Sequence, residues 1–376
     1  MAAPRADDLV LVVNSGSSSL KFGVYRRGQD DEEALLTGNA ENIGRSNGNL
    51  RVKFSGGATV LDRQSVFKSQ LAALTAVSNE ISKHIQATPS VVGHRIVHGG
   101  PRLVEHQKIT PEVLNELRAV THFAPLHIPE ALSLIVSAQK LFPAASQFAC
   151  FDDAFHRTLP EVASRLPIPA RYFEAGIRRY GFHGISYESL VQHFGSRLPE
   201  RAIFAHLGNG ASLCAVRNGV SIDTTMGLTP TGGVPMGTRS GDLDPGVIIH
   251  LLRSENLTAD ELEDLVNHHC GLLALSSGES DVKNLQARAD SGDENAALAL
   301  DAFAVSIRKV IGSYVALLGG VDLLVFSGGI GEHSERIRRE ATKGLEIIGV
   351  TPQKIQVIPT EEEMQIARHC RRMMQA

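Results

Sequence analysis

The feature that most constrains this chain is its first apolar stretch, LVLVVNSGSSSLKFGVY, residues 9–25. Two runs of strand length flank a turn of Asn14, Ser15, Gly16, Ser17, Ser18 and Ser19, the pattern of a β-hairpin. Small residues in such a turn let backbone N–H groups approach an anion, and serine hydroxyls add donors. Lys21 places a positive charge at the start of the second strand. A Gly/Ser turn between strands is most often only a turn; phosphate binding is the sharper reading and needs support. Near-repeats supply it. In RAIFAHLGNGASLCAVRNG, residues 201–219, two apolar runs flank His206, Leu207, Gly208, Asn209 and Gly210. A third version, LLVFSGGIGEHSE, starts at Leu323; a charged segment from Glu332 follows its glycines, so this turn is expected to open a helix. Three such turns, each after a buried strand, suggest a nucleotide held between two related halves.

The remaining organisation mixes strand and helix signals along the whole chain. The 376 residues suit two or three domains at about 150 residues each. Residues 26–65 suggest further antiparallel strands, and 66–86 a helix. SVVGHRIVHGG is a strand ending at His98, Gly99 and Gly100. Helices are expected from Thr110–Pro111, over 129–141, 186–194, 258–269 and 293–318, and in the basic C-terminal IARHCRRMMQA. AASQFACFDDAFH is a strand running into a turn with two acids, with a domain boundary near residue 148. Residues 223–246, rich in Gly, Thr and Pro, are too long for a mere connection and point to a functional loop. A net charge of −4 gives no footprint for nucleic acid or an anionic membrane. Cys150, Cys214, Cys270 and Cys370 lie far apart in sequence without metal-ligand spacing, which argues against zinc and for reduced thiols. No apolar run nears the ~20 residues of a membrane span. The polar MAAPRADD start lacks a signal-peptide pattern and is expected to be disordered. The expectation is a cytoplasmic protein.

In order along the chain, NSGSSSLKF, GHRIVHGG, FAPLHIP, FDDAFH, RRYGFHGIS, HLGNGAS, GLTPTGGVPMGTRSGDLDP, SGGIGE and PTEEEMQIA resemble the motifs of the acetate kinase family. They lie between residues 14 and 367, nearly the whole chain. The resemblance implies an α/β fold of two ribonuclease-H-like domains, of the sugar kinase/Hsp70/actin type, with the active site in the cleft between them. The first domain would be 1–148, completed by the C-terminal helix 363–376; the second, 149–362, would bind nucleotide. It also implies a homodimer, ATP/ADP as co-substrate, and Mg2+ (or Mn2+) as the metal. The implied reaction moves the γ-phosphoryl group of ATP onto acetate.

Phosphoryl transfer asks a protein mainly for positioning and charge neutralisation. The acceptor is a carboxylate, ionised at neutral pH, so it needs cations more than a base. Arg95 sits inside an apolar strand, where an unpaired charge is costly, and Arg239 lies in the long loop; a guanidinium grips carboxylate or phosphoryl oxygens in bidentate fashion. By resemblance, Arg95 would hold the acyl carboxylate, while Arg239 and His183 would stabilise the moving phosphoryl group. Asp152 matches an aspartate to which the family assigns acid/base work; holding an arginine or orienting metal-bound water is more economical here. Its neighbour Asp153 is expected to be a solvated charge. Without the resemblance, Arg239 is a loop arginine paired with Asp242.

Asn14 and Glu362 match the metal positions, with oxygen donors suited to a hard cation. Lys21, the 206–210 turn, Asp281, Val282 and Lys283, and Gly329, Ile330, Gly331, Glu332 and His333 match nucleotide contacts. Val97, Leu126, His127, Phe182 and Pro230 match the acid pocket. Val97 lies two residues beyond Arg95, on the same face if the strand continues. The sequence departs from the family pattern at Lys283, His333, Glu361, Ile185 and Tyr187, which bears on nucleotide preference more than on reaction class. Propionate or butyrate kinase, and a non-catalytic nucleotide clamp, are the alternatives.

Overall fold

The computed structural model describes residues 9–16, 19–125 and 127–375. Ser17 and Ser18 of the first turn, Leu126 of the expected acid pocket and the first eight residues lie outside the described residues. The strands are β1 (Leu9–Gly16), β2 (Ser19–Arg27), β3 (Glu32–Glu41), β4 (Asn49–Phe54), β5 (Thr59–Gln64), β6 (Val91–Ile96), β7 (Gln107–Lys108), β8 (Ser146–Phe151), β9 (Arg201–Leu207), β10 (Ala211–Arg217), β11 (Val220–Thr224), β12 (Leu323–Ser327) and β13 (Ile355–Val357). Around them run helices α1 (Gln70–His84), α2 (Pro111–Ala119), α3 (Ile128–Leu141), α4 (Gly184–Phe194), α5 (Pro245–Ser254), α6 (Ala259–His268), α7 (Val282–Asp290), α8 (Glu294–Leu318), α9 (Gly328–His333) and α10 (Glu362–Gln375).

The chain packs into two compact units. One holds the described residues through Ala154, with Gly184–Ser189 and those from Glu361 on; the other holds Phe155–His183 and Leu190–Thr360. The sheet of the first unit runs β5-β4-β3-β2-β1-β6-β8-β7, and that of the second β11-β10-β9-β12-β13. In the first, β1 pairs antiparallel with β2 and parallel with β6, and β8 continues parallel beyond β6. In the second, β9 pairs antiparallel with β10 and parallel with β12, and β13 continues parallel. Both sheets therefore contain the same strand order, three antiparallel strands followed by two parallel ones. This is the duplicated α/β fold.

Strand β1 explains why its sequence is apolar without alternation. Leu9, Leu11 and Val13 pack with Leu74, Val77 and Ile81 of α1. Val10 and Val12 face the other way, onto Ile366, Ala367 and Cys370 of α10. A sheet covered on both faces needs apolar residues at every position. Helix α10 lies close on β6, since a Cβ at Gly93 would come within 2.5 Å of Cys370 Sγ. The basic residues of this helix have partners: Arg368 bonds Asp31, and Arg371 bonds Glu32 at the start of β3. Among the described residues no helix is long and apolar enough to cross a membrane, and all four cysteines are free thiols.

One expectation fails in detail. The GHRIVHGG strand ends at Ile96, before Val97, because the chain already turns toward Gly100, whose φ of 68° suits glycine. The parity argument that put Val97 on the same strand face as Arg95 therefore does not apply; their proximity has another origin.

Candidate active site

In the first unit, parallel pairing of β6 with β8 sets Arg95 beside Cys150, and Asp152 follows one residue past the end of β8. Arg95 Nη2 donates to Asp152 Oδ2 at 2.7 Å, with the carboxylate side chain 1% exposed. Burial works against the Arg95 charge, but the carboxylates of Asp152 and Glu362 more than offset it and raise the pKa further. Asn14, at the end of β1, accepts a long bond from Arg95 Nη1 (3.5 Å) and donates to Glu362 Oε2 (3.2 Å) and Glu363 Oε1 (2.8 Å). Glu362 is thus bound to Asn14, the other residue that matches a metal position. Glu363 stands still closer to Asn14 and was indistinguishable by sequence within the acidic run TEEEM. Lys21 pairs with Asn14 across the hairpin register and is exposed. On β6, His94 hydrogen-bonds Gln147 at 2.6 Å, and burial pushes its pKa down to about 4.

A small cavity beside Arg95 is lined by Ser15, Gly16, Val97, His127, Ile128, Glu130 and Ala131. Val97 reaches it from the turn after β6. His127 arrives as the N-cap residue of α3, in a turn closed by its N–H to Ala124 O. Partial burial raises the Glu130 carboxyl pKa. Glu130, absent from the sequence expectation, sits in the first turn of α3, where an acid is ordinarily a helix-dipole partner.

Asp153 corrects an expectation. It is buried, not solvated: Oδ2 lies 3.0 Å from His98 Nδ1 and accepts from the Gly99 N–H at 3.2 Å. The end of β8 and the turn after β6 meet here, and proximity of that kind leaves no local pattern.

In the second unit, His183 is the N-cap of α4 in a left-handed conformation, φ 59°, which costs an L-residue about 1–2 kcal/mol. Its Nδ1 is 2.9 Å from Ser212 Oγ, and its ring stacks on His206 with centroids 4.3 Å apart. The β9–β10 register places His206 and Ser212 opposite each other, so one strand pair holds the histidine through two contacts. The turn before it is fixed by His156, whose Nε2 is 3.0 Å from Phe182 O. A Cβ on Gly210 would lie 3.0 Å from His183 Nε2 and 3.5 Å from Arg239 Nη1; the glycine turn, His183 and Arg239 therefore converge. The Gly208 N–H closes that turn on Gly210 O at 2.9 Å. Arg239 donates to Pro230 O at 3.1 Å, whereas Asp242 accepts from the Gly233 N–H. Phe182 is buried, and Leu207 ends β9.

Asp281 caps α7, leaving Val282 buried and Lys283 exposed. Gly329, Ile330 and Gly331 lie in α9, which starts after Ser327 as the glycine turn suggested. Glu332 Oε1 accepts from the Thr360 N–H, and His333 Nδ1 is 3.0 Å from Gly329 O.

The sequence profile of the acetokinase family matches residues 9–364. Similar curated proteins include an acetate kinase of Leifsonia xyli subsp. xyli, 41% identical over 391 residues, with 96% of this chain and 97% of that one covered. An acetate kinase of Staphylococcus aureus is 39% identical over 394 residues, with 96% and 97% covered. Among solved structures, a propionate kinase from Francisella tularensis subsp. tularensis matches with a TM-score of 0.89 at 33% identity, covering 97% of this chain and all of that one. An acetate kinase from Porphyromonas gingivalis gives 0.86 at 33% identity over 98% of this chain and 100% of its own. The repeated sheets and these likenesses define a kinase on a duplicated α/β core. The chain belongs to the acetokinase family.

Proposed function

We propose that the protein transfers the γ-phosphoryl group of ATP to acetate, reversibly, giving acetyl phosphate and ADP. The observation that carries this reading is Arg95, held by the buried Asp152, lining a small cavity together with Val97. A fixed guanidinium beside a small, partly apolar space suits a short carboxylate with its methyl group inward. The cavity is small and flanked by the side chains of Val97, Ile128 and Ala131, a lining that suits a short acyl group. Arg239, His183 and the 208–210 turn would meet the transferring phosphoryl group, whose charge preorganised donors stabilise. Lys21, Asp281 to Lys283 and Gly329 to His333 would contact the nucleotide. Phe182 and Pro230 remain proposed pocket residues. The carboxylates of Glu362 and Glu363 are oxygen donors of the kind Mg2+ or Mn2+ takes, and Asn14, which here donates its Nδ2–H to both, would join them with its amide oxygen once the amide is turned. The metal would neutralise phosphate charge when bound.

The test is a hydroxylamine trap for acyl phosphate with ATP, Mg2+ and acetate, propionate or butyrate. Acetate is expected to give the highest kcat/KM, with excess chelator abolishing turnover. Val97→Ala is expected to move preference toward propionate by roughly 1–3 kcal/mol, the usual reach of one methylene, with the ATP KM nearly unchanged. A wild type that prefers butyrate, or a variant with unchanged ratios, removes Val97 from the pocket.

The proposed partner is a second copy of the chain. Helix α5, PGVIIHLLRS, buries no residue, and Val247, Ile249 and Leu252 are exposed on it with Leu243 just before. A cluster of this kind marks an interaction surface. Light scattering is expected to give twice the 40.4 kDa chain mass, and a monomer for Ile249→Glu; a monomeric wild type refutes the pairing. The free thiols support a cytoplasmic setting.

A further inference from the structure

Away from the arginines, the first unit holds a cluster that no motif announces. His106 precedes β7, Glu188 lies one turn into α4 and His369 two turns into α10. His106 Nε2 is 3.2 Å from Glu188 Oε2, and His369 Nε2 is 2.7 Å from the same oxygen. The two rings are 4.0 Å apart. One atom from each residue could serve as a metal ligand, all within 4.8 Å of one another.

The hydrogen-bond directions argue against a metal. The Phe151 N–H donates to His106 Nδ1 at 3.0 Å, so the proton of the neutral ring resides on Nε2. Arg372 Nη2 approaches His369 Nδ1 at 3.4 Å, which again leaves the proton on Nε2, facing Glu188. Gln365 Nε2, also a donor, stands 3.1 Å from His369 Nε2, farther than Glu188 Oε2 at 2.7 Å, so the shorter contact to the carboxylate sets that proton. A metal-bound imidazole instead donates its second N–H to an acceptor; these rings meet donors on that side. Two neutral imidazoles thus donate to one carboxylate. Burial pushes the Glu188 pKa up, but the bonds from His106 and His369 outweigh it and hold the carboxyl well below the usual range. Burial lowers the pKa of His369 despite the opposing pull of the Glu188 carboxylate.

The cluster joins three elements that each deliver a residue of the proposed site. His106 grips the last residue of β8, next to Asp152. Glu188 belongs to the helix that follows His183, and the Gly184 N–H donates to Asp152 O at 2.7 Å. His369 belongs to the helix that starts at Glu362. We propose that Glu188, clamped by His106 and His369, is a positioning residue for phosphoryl transfer, setting the ends of β8, α4 and α10 in register. This rests on the kinase reading above.

The experiment compares wild type with Glu188→Ala, Glu188→Gln, His369→Leu and His369→Gln. Misplacement by an ångström can cost a hundredfold in rate; Glu188→Ala is expected to lower kcat by about ten- to a hundredfold. Glu188→Gln, which keeps a carbonyl oxygen able to accept from both imidazoles but loses the negative charge that strengthens those bonds, should fall between. His369→Gln retains an N–H donor and should recover most of what His369→Leu loses. Hydrogen exchange, which needs no turnover, should quicken together at 151–153, 184–187 and 362–365 in Glu188→Ala. A lower Tm with kcat, KM and exchange at those segments unchanged overturns the proposal, as does stoichiometric Zn2+ binding that Glu188→Gln abolishes. A wild type that forms no acyl phosphate but shows the concerted exchange change fails the kinase reading and leaves the clamp itself supported.

Discussion

Arg239→Ala is expected to reduce kcat by about a hundredfold or more while the KM for acetate and for ATP changes only a few-fold. A charge contact made in the transition state is worth on the order of 3 kcal/mol, and one made equally to bound substrate would appear in KM instead. Arg239 lies in the long irregular segment after β11, where its guanidinium is positioned by Pro230 O and approached by Met236 Sδ. It shares the edge of the Gly208–Gly210 turn with His183, a histidine held in a left-handed conformation. Strain of that kind persists where surrounding structure over-determines it, often at functional sites. Arg239→Lys keeps a charge but loses the planar fork and should recover only part of the rate. Steady-state kinetics with acyl phosphate as the read product checks this; near-normal kcat in Arg239→Ala removes the arginine from the transfer point.

What the sequence disclosed, and what it hid, divides along a physical line. The hairpins, the β12-to-α9 turn and the Thr110 cap were legible because each is written in adjacent residues: apolar runs of strand length, a glycine turn, a Thr–Pro start. The duplication was legible because the glycine turns recur after equivalent strands. Asp153 was misread because a charge beside a charge resembles a solvated pair, and only the meeting of two strand ends shows His98 against it. Val97 reached the cavity from a turn, so a period-two rule gave a wrong reason for its place. Glu363 was lost among three consecutive acids. His106, Glu188 and His369 carry no signal, being 82 and 181 residues apart along the two bonds; the fold alone assembles them.

Asp152 provides the second large effect, and it separates two roles for that carboxylate. If Asp152 holds Arg95, removing it leaves a guanidinium, only 16% exposed in its side chain, without its closest counter-charge. Breaking a buried ion pair from one side typically costs about 3–5 kcal/mol. Asp152→Ala is therefore expected to lower stability in urea unfolding by roughly that amount and to raise the acetate KM, since the clamp loses its alignment. Arg95→Ala should raise the acetate KM more than it lowers kcat. The double variant Arg95→Ala/Asp152→Ala should be less unstable than the sum of the singles, because the stranded charge is gone; contacting residues commonly couple by 0.5–3 kcal/mol, about the range expected here. Asp152→Asn decides between the roles. An amide still accepts a hydrogen bond from Arg95 Nη2 but cannot move a proton. An acceptor already ionised at neutral pH has no proton to surrender, so Asp152→Asn should retain clearly more activity than Asp152→Ala. Equal, near-total loss in both, with stability and acetate KM unchanged, would mean that Asp152 works on a proton and that its bond to Arg95 is incidental.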